Sequence, residues 1–447
     1  MLGEAGLAEA NGAARAPIMA IGIIGAMFFI FGFVTWLNGP LIAFVKLAFT
    51  LTDVEAFLVP MVFYMSYFFL ALPSAMLLKR TGLKRGMSLG LFIMAVGAVA
   101  FGQFATMRIF PGALAGLFVI GAGLAVLQTA ANPYISIVGP IDSAAQRIAV
   151  MGICNKIAGI LAPIVFGALV MRGVGDLAER VGGIADPVER EALLEGFAQQ
   201  IHLPYLAMAG LLALLAFAVL RSPLPELRGD EAAAVGGAAP DTGEGAVVGG
   251  PAPLARDRSL LSFPHLWLGA LCLFCYVGVE VMAGDAIGTY GAGFHLPVEE
   301  TAYFTSLTLG GMLVGYLVGL ALIPRIVSQE RYLAISAVLG IVLTAGAFLT
   351  GGYVSVAFVA ALGFANAMMW PAIFPLAIRG LGRHTETGSA IMIMAIAGGA
   401  VLPQLFAVLK QTHDFQAVFA WLMIPAYAYI LFFAVRGYRV GWGRGRA

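Results

Sequence analysis

Stretches of about 20 apolar residues, each long enough to cross the ~30 Å hydrocarbon core of a bilayer, recur twelve times along this chain. They lie near 18–49, 56–78, 87–106, 113–138, 148–170 and 204–220, then near 266–290, 303–323, 333–350, 354–377, 389–409 and 417–435. Backbone groups inside a bilayer find no water, so runs this long and this apolar must be helices. Only 11% of the residues are charged, against about 25% in a typical soluble domain, and the missing surface polarity is what lipid would replace. The expected fold is therefore an all-α integral membrane protein of twelve transmembrane helices.

The spans fall into two sets of six, 18–220 and 264–436, with short ends at 1–17 and 437–447. The linker 221–263 between them is rich in Gly, Ala, Asp and Pro over 229–253 and has too few large apolar residues to bury a core. A second polar loop, 172–202, alternates charges with Leu177, Val181, Leu193, Leu194 and Phe197, a pattern that predicts short surface helices. The first apolar run continues far beyond a signal-peptide core, so it reads as a span and not as a cleaved leader. With both termini cytoplasmic, Lys79, Arg80, Lys84, Arg85, Arg221, Arg325 and Arg379 fall inside, as do Arg436 and Arg439. Lys46, Arg108, Arg172, Arg180, Arg190 and Lys410 fall outside, which is the bias of the positive-inside rule.

The halves echo one another. Gln128 stands four residues before Asn132–Pro133, and Asn366 stands four before Trp370–Pro371. Gly159 precedes Pro163 as Gly399 precedes Pro403. Gly32 lies seven residues before Gly39, and Gly278 lies seven before Asp285. Two related halves around a midplane site are the design of a rocking transporter, and a channel does not need it.

Polar groups inside the spans are the site candidates, because a charge at the bilayer centre costs at least ~2.5–3.5 kcal/mol. Glu280 and Asp285 share the seventh span. Gly278, Gly284 and Gly288 predict a broken helix there, which would bring both acids to one cavity that binds H⁺ or Na⁺. The alternative is that one acid only holds a neighbouring helix. Lys156 is either their intramembrane counter-charge or a side chain that snorkels to an interface. Asn38, Gln128, Asn132, Asn155 and Asn366 both donate and accept, which suits a polyhydroxylated ligand, although amides also glue helices together. Trp36, Tyr276 and Trp370 lie at similar depth, where an indole face either meets the C–H side of a sugar or packs in the core. Cys154, Cys272 and Cys275 sit in apolar runs as buried packers. The formal net charge of +1 points to no nucleic-acid partner. No phosphate loop, metal-ligand spacing or activated nucleophile is present, so neither an enzyme nor a cofactor is expected.

The stretch 28–42 (FFIFGFVTWLNGPLI) resembles the first span of the bacterial glucose/galactose transporters, in the fucose–proton symporter branch of the major facilitator superfamily. ALPSAMLLKRTG at 71–82, LQTAANPY at 127–134, AAQR at 144–147, CNKIAG at 154–159 and FCYVG at 274–278 are similar too. The resemblance runs over nearly the whole chain. It implies the superfamily fold of two six-helix bundles, a monomer, a multi-pass place in a bacterial inner membrane, and cation-coupled import of a neutral hexose by alternating access. Gln128, Asn132, Asn155 and Asn366 would then contact sugar hydroxyls, with Asn38 beside them and Trp36 or Trp370 stacking. The superfamily signature between spans two and three has Gly and Asp where Ala75 and Lys79 stand, and the fucose branch shares that Lys. The fucose transporters, however, carry acids where Gly39 and Gln128 stand, one for the proton and one for the sugar. Their absence here moves the expected coupling to Glu280 and Asp285. N-acetylglucosamine permeases resemble residues 35–39 as well and are the alternative within the class. A proton-driven exporter and a sugar receptor are the alternatives outside it.

Overall fold

The computed structural model describes residues 3–137, 144–171, 174–226, 259–323, 325–381 and 384–441. Most of the predicted linker (227–258) and the end of the tail (442–447) lie outside them, as does the side chain of Asn132. The described residues form helices and turns. Eleven helices are long and apolar enough to cross a membrane, and a bent pair supplies a twelfth span.

In the first half, α1 (Gly3–Trp36) and α2 (Asn38–Ala48) share span one. A single turn, α3 (Asp53–Ala56), leads into α4 (Leu58–Thr81), then α5 (Leu83–Thr106), α6 (Phe110–Ile137) and α7 (Ala144–Val170). The polar loop folds as α8 (Val174–Gly183) and α9 (Pro187–Gln199) before α10 (His202–Arg221) closes the half. The second half runs α11 (Pro264–Gly284), α12 (Ile287–Ala292), α13 (Val298–Thr301), α14 (Phe304–Leu322) and α15 (Gln329–Leu349). It ends with α16 (Gly352–Asn366), α17 (Met369–Ile378), α18 (Thr385–Met394), α19 (Gly398–Leu409) and α20 (Phe415–Val435).

Spans one and ten, predicted as continuous, are interrupted, and proline is the reason in both. A proline ring excludes the carbonyl four residues earlier from the helical ladder. Pro40 frees Trp36, and the helix breaks at Leu37. Pro371 frees Ala367, and span ten bends by 41° between α16 and α17. Gln329 Nε2 donates to the Pro371 and Ala372 carbonyls at 3.0 and 2.8 Å and holds the bent segment.

The repeated glycines mark equivalent crossings. A Cβ on Gly32 would lie 2.2 Å from the Asn155 carbonyl oxygen, so α1 meets α7 backbone to backbone; Gly278 meets Leu402 where α11 crosses α19. Gly159 and Gly399 instead sit where the halves meet, each between a residue of its own half and one of the other: Trp36 and Leu309 for Gly159, Val281 and Tyr64 for Gly399. The halves are joined by two such seams. One is α7 on α14, where Ser306 Oγ donates to the Ile160 carbonyl at 2.8 Å, and the other is α4 on α18 and α19.

We call the face that bears 49–52, α8–α9 and 410–414 the cap face. There Phe44 packs on Phe197 of α9 at 5.0 Å, and Arg108 pairs with Glu191 while its Nε donates to the Ala48 carbonyl at 2.6 Å. The same face closes across the halves. Asp53 takes Lys46 from its own half and Lys410 from the other, each at 2.5 Å, and Gln404 Nε2 donates to the Val54 carbonyl at 3.1 Å. Lys410 is only 14% exposed, so this pair is less screened than a surface one. Losing a hydrogen bond to a charged group at this depth shifts an equilibrium by roughly tenfold or more. Lys410→Ala should therefore populate a state open at the cap face. Spin labels at Leu51 and Gln411, in protein whose three cysteines are replaced by alanine, should report longer distances in the variant. An unchanged distribution would mean the triplet is ornamental.

Candidate functional site

The breaks in spans one and seven lie side by side and build the site. Span seven stops being helical at Asp285–Ala286, where Asp285 and Ala286 N–H both point to the Val281 carbonyl at 2.7 and 3.2 Å. The Ala283 and Gly284 carbonyls freed by the break accept instead from Thr308 and Thr305 of α14, at 2.8 and 2.7 Å. The break predicted from three glycines thus falls beside one of them. Gly278 stays helical.

The structure gives the two acids of span seven different partners. Glu280 Oε1 is 3.0 Å from Lys156 Nζ of α7 in the other half, with both side chains nearly buried. The same ammonium lies 4.5 Å over the Trp36 ring, so Lys156 is the counter-charge and does not reach an interface. Trp36 Nε1 donates to Asn155 Oδ1 at 3.4 Å, at the long end of the range. Trp36 is only 4% exposed. A Cβ on Gly159 or on Gly284 would come within 2.5 Å of the indole, so one glycine from each half clamps it. In this arrangement the Trp36 faces are taken, and a sugar cannot stack on them.

Asp285 is 1% exposed and has no cation among its hydrogen-bond partners. The Tyr64 hydroxyl of α4 donates to its Oδ2 at 3.3 Å, and Oδ1 has no partner of good geometry. What Oδ1 faces is Gly39. A Cβ there would stand 3.4 Å from that oxygen and 2.5 Å from Thr305 Oγ1. A side chain at residue 39 would run into Thr305 and into the backbone and carboxylate of Asp285, all from the other half.

The amides spread around this centre. Gln128 Nε2 donates to the Tyr67 hydroxyl at 3.0 Å, and Asn366 Oδ1 accepts from the Tyr427 hydroxyl at 2.8 Å. Asn38 and Asn366 each leave a buried Nδ2 without a partner. Such a group costs about 1–3 kcal/mol when nothing pairs with it. Trp370 is partly exposed, stacks on Phe374 at 5.9 Å and lies 6.5 Å from the Tyr276 ring. Tyr64, Tyr67, Tyr427 and Thr305 were not legible as site residues, because a hydroxyl in an apolar run carries no signal of its own. Among the described residues no group of acids, histidines and cysteines is arranged to hold a metal.

The comparisons with known proteins bear on the fold and the family. The glucose/galactose transporter of Brucella abortus is 32% identical over 92% of both chains. The L-fucose-proton symporter of Escherichia coli is 29% identical, covering 88% of this chain and 86% of its own. Among solved structures, the crystal structure of FucP, a Major Facilitator Superfamily transporter, in the outward conformation superposes with a TM-score of 0.70 at 26% identity, covering 94% of this chain and 99% of that one. The family model of the Major Facilitator Superfamily matches residues 24–404, and the chain belongs to that family of transporters.

Proposed function

We propose that this protein imports a neutral hexose, glucose or galactose, together with a proton, by alternating access. The observation that carries the reading is Asp285, a carboxylate without a cation, closed against Gly39 where two broken spans meet. Closing the cap face buries this group, and burying it ionised costs at least ~2.5–3.5 kcal/mol. The neutral acid escapes that cost and can donate to Tyr64. Protonation at Asp285 therefore favours the closed cap, which is how a proton gradient would drive the cycle. Relatives that carry sugars, one of them with protons, support both substrate and ion.

In this reading the cap face is periplasmic, both termini and the linker 221–263 are cytoplasmic, and the bundles 18–220 and 264–436 rock as monomeric halves in a bacterial inner membrane. Glu280 is paired with Lys156, and in this reading Asp285 carries the coupling proton. Gln128, Asn155, Asn366 and, in a side chain outside the described residues, Asn132 supply hydroxyl contacts, and Trp370 the stacking face. Asn38 completes the amide set at the break.

The test is uptake of labelled D-glucose into proteoliposomes, with pH and Na⁺ gradients imposed separately. Accumulation driven by the pH gradient and blocked by D-galactose is expected. Dependence on Na⁺ alone would overturn the coupling ion, and competition by N-acetylglucosamine alone would overturn the substrate.

A further inference from the structure

We propose that Glu280 is a sugar ligand, a carboxylate paired with Lys156 that accepts from two neighbouring hydroxyls of the hexose. The inference rests on the hexose-transport reading and assigns Glu280 a task different from that of Asp285.

An ion pair inside a membrane protein is a poor way to hold two halves together. Desolvating both charges offsets most of their attraction, and apolar residues of similar volume often serve stability better. Lys156 and Glu280 nevertheless bridge α7 and α11 at 3.0 Å. The Glu280 side chain remains 13% exposed, against 7% for Lys156, so the carboxylate is not sealed. It has about four acceptor sites; Lys156 takes one oxygen and the Tyr276 hydroxyl also reaches the carboxylate, which leaves acceptor capacity for a ligand.

Its surroundings fit a sugar ring. Toward the first half lie the Asn155 amide and the ammonium of Lys156, both able to donate to ring hydroxyls. One turn back on α11 is Tyr276, in contact with the partly exposed Trp370. A hexose placed here sets its C–H face on Trp370 and a vicinal diol on Glu280. The carboxylate prefers charged acceptance of two O–H groups, which is stronger than a neutral amide contact.

The experiment measures D-glucose binding to purified protein by calorimetry. It uses Glu280→Gln and the charge-neutral pair Lys156→Gln/Glu280→Gln, the second guarding against misfolding caused by an unpaired lysine. Glucose affinity should fall about tenfold or more in both, the size expected for a hydrogen bond to a charged group. Deoxyglucoses lacking one hydroxyl each then locate the contact. At least one should bind wild-type protein weakly yet lose nothing further in Glu280→Gln. Unchanged glucose affinity in the charge-neutral pair, or equal losses for every deoxy sugar in wild type and variant, overturns the assignment. If wild-type protein binds and transports no hexose at all, it is the transport reading that fails, and the two failures are thereby told apart.

Discussion

Asp285→Asn protein, reconstituted in liposomes, should exchange hexose across the membrane and fail to accumulate it. The amide matches the carboxyl in shape and is permanently neutral, so the cap closes against Gly39 whether or not a proton is available. Sugar then equilibrates. With one proton per sugar, a gradient of about one pH unit sustains an accumulation of about tenfold in wild type, since both correspond to roughly 1.4 kcal/mol. The variant should hold a ratio near unity. Wild-type uptake should rise as the outside is acidified, because protonation precedes closure, and uptake by the variant should be flat. Counterflow of labelled against unlabelled glucose reads the exchange that remains. Accumulation that persists in the variant with its pH dependence intact would remove Asp285 from the proton path.

Gly39→Asp should abolish transport, although it restores the residue type that the resemblance to the fucose symporters leads one to expect at that position. The new Cβ would stand 2.5 Å from Thr305 Oγ1, which is itself tied to the Gly284 carbonyl, and its carboxyl would meet Asp285. A clash and a second buried acid both oppose cap closure, and a cost of about 3 kcal/mol corresponds to a loss of roughly 100-fold in the closed population. Removing both obstacles, as Gly39→Asp/Thr305→Ala/Asp285→Gly, moves the carboxylate to the other side of the same contact. Proton-driven accumulation should return in the triple variant. Recovery would show that coupling needs one ionisable group at this contact and is indifferent to which half supplies it. If the triple variant stays inactive while folded, the site of coupling lies elsewhere.

How much of this was legible in one dimension follows from cost. Glu280, Asp285 and Lys156 stand out because a charge in an apolar run is expensive, so its presence alone is a signal. The surface helices α8 and α9 were legible because charges alternate with apolar residues, and so was the break in span seven from its glycines. The breaks in spans one and ten were missed although Pro40 and Pro371 were in view, because proline in a membrane helix is often absorbed without a break. Trp36 shows the limit most clearly. As a residue it suits a sugar face, yet Gly159 and Gly284 enclose its ring and leave it 4% exposed.

By itself, then, the sequence determined the class of the molecule: twelve apolar helices in two related sets, with three ionisable groups buried in their middle. Those are properties of runs and periods, set by the solvent each segment must meet. Only the tertiary structure decided which groups pair. Lys156 and Glu280 are 124 residues apart, and Tyr64 and Asp285 are 221 apart. Such contacts depend on how two halves pack across a shared seam, and no local preference encodes that. The different partners of the two acids, a lysine for Glu280 and a tyrosine hydroxyl for Asp285, exist only once the halves are packed on each other.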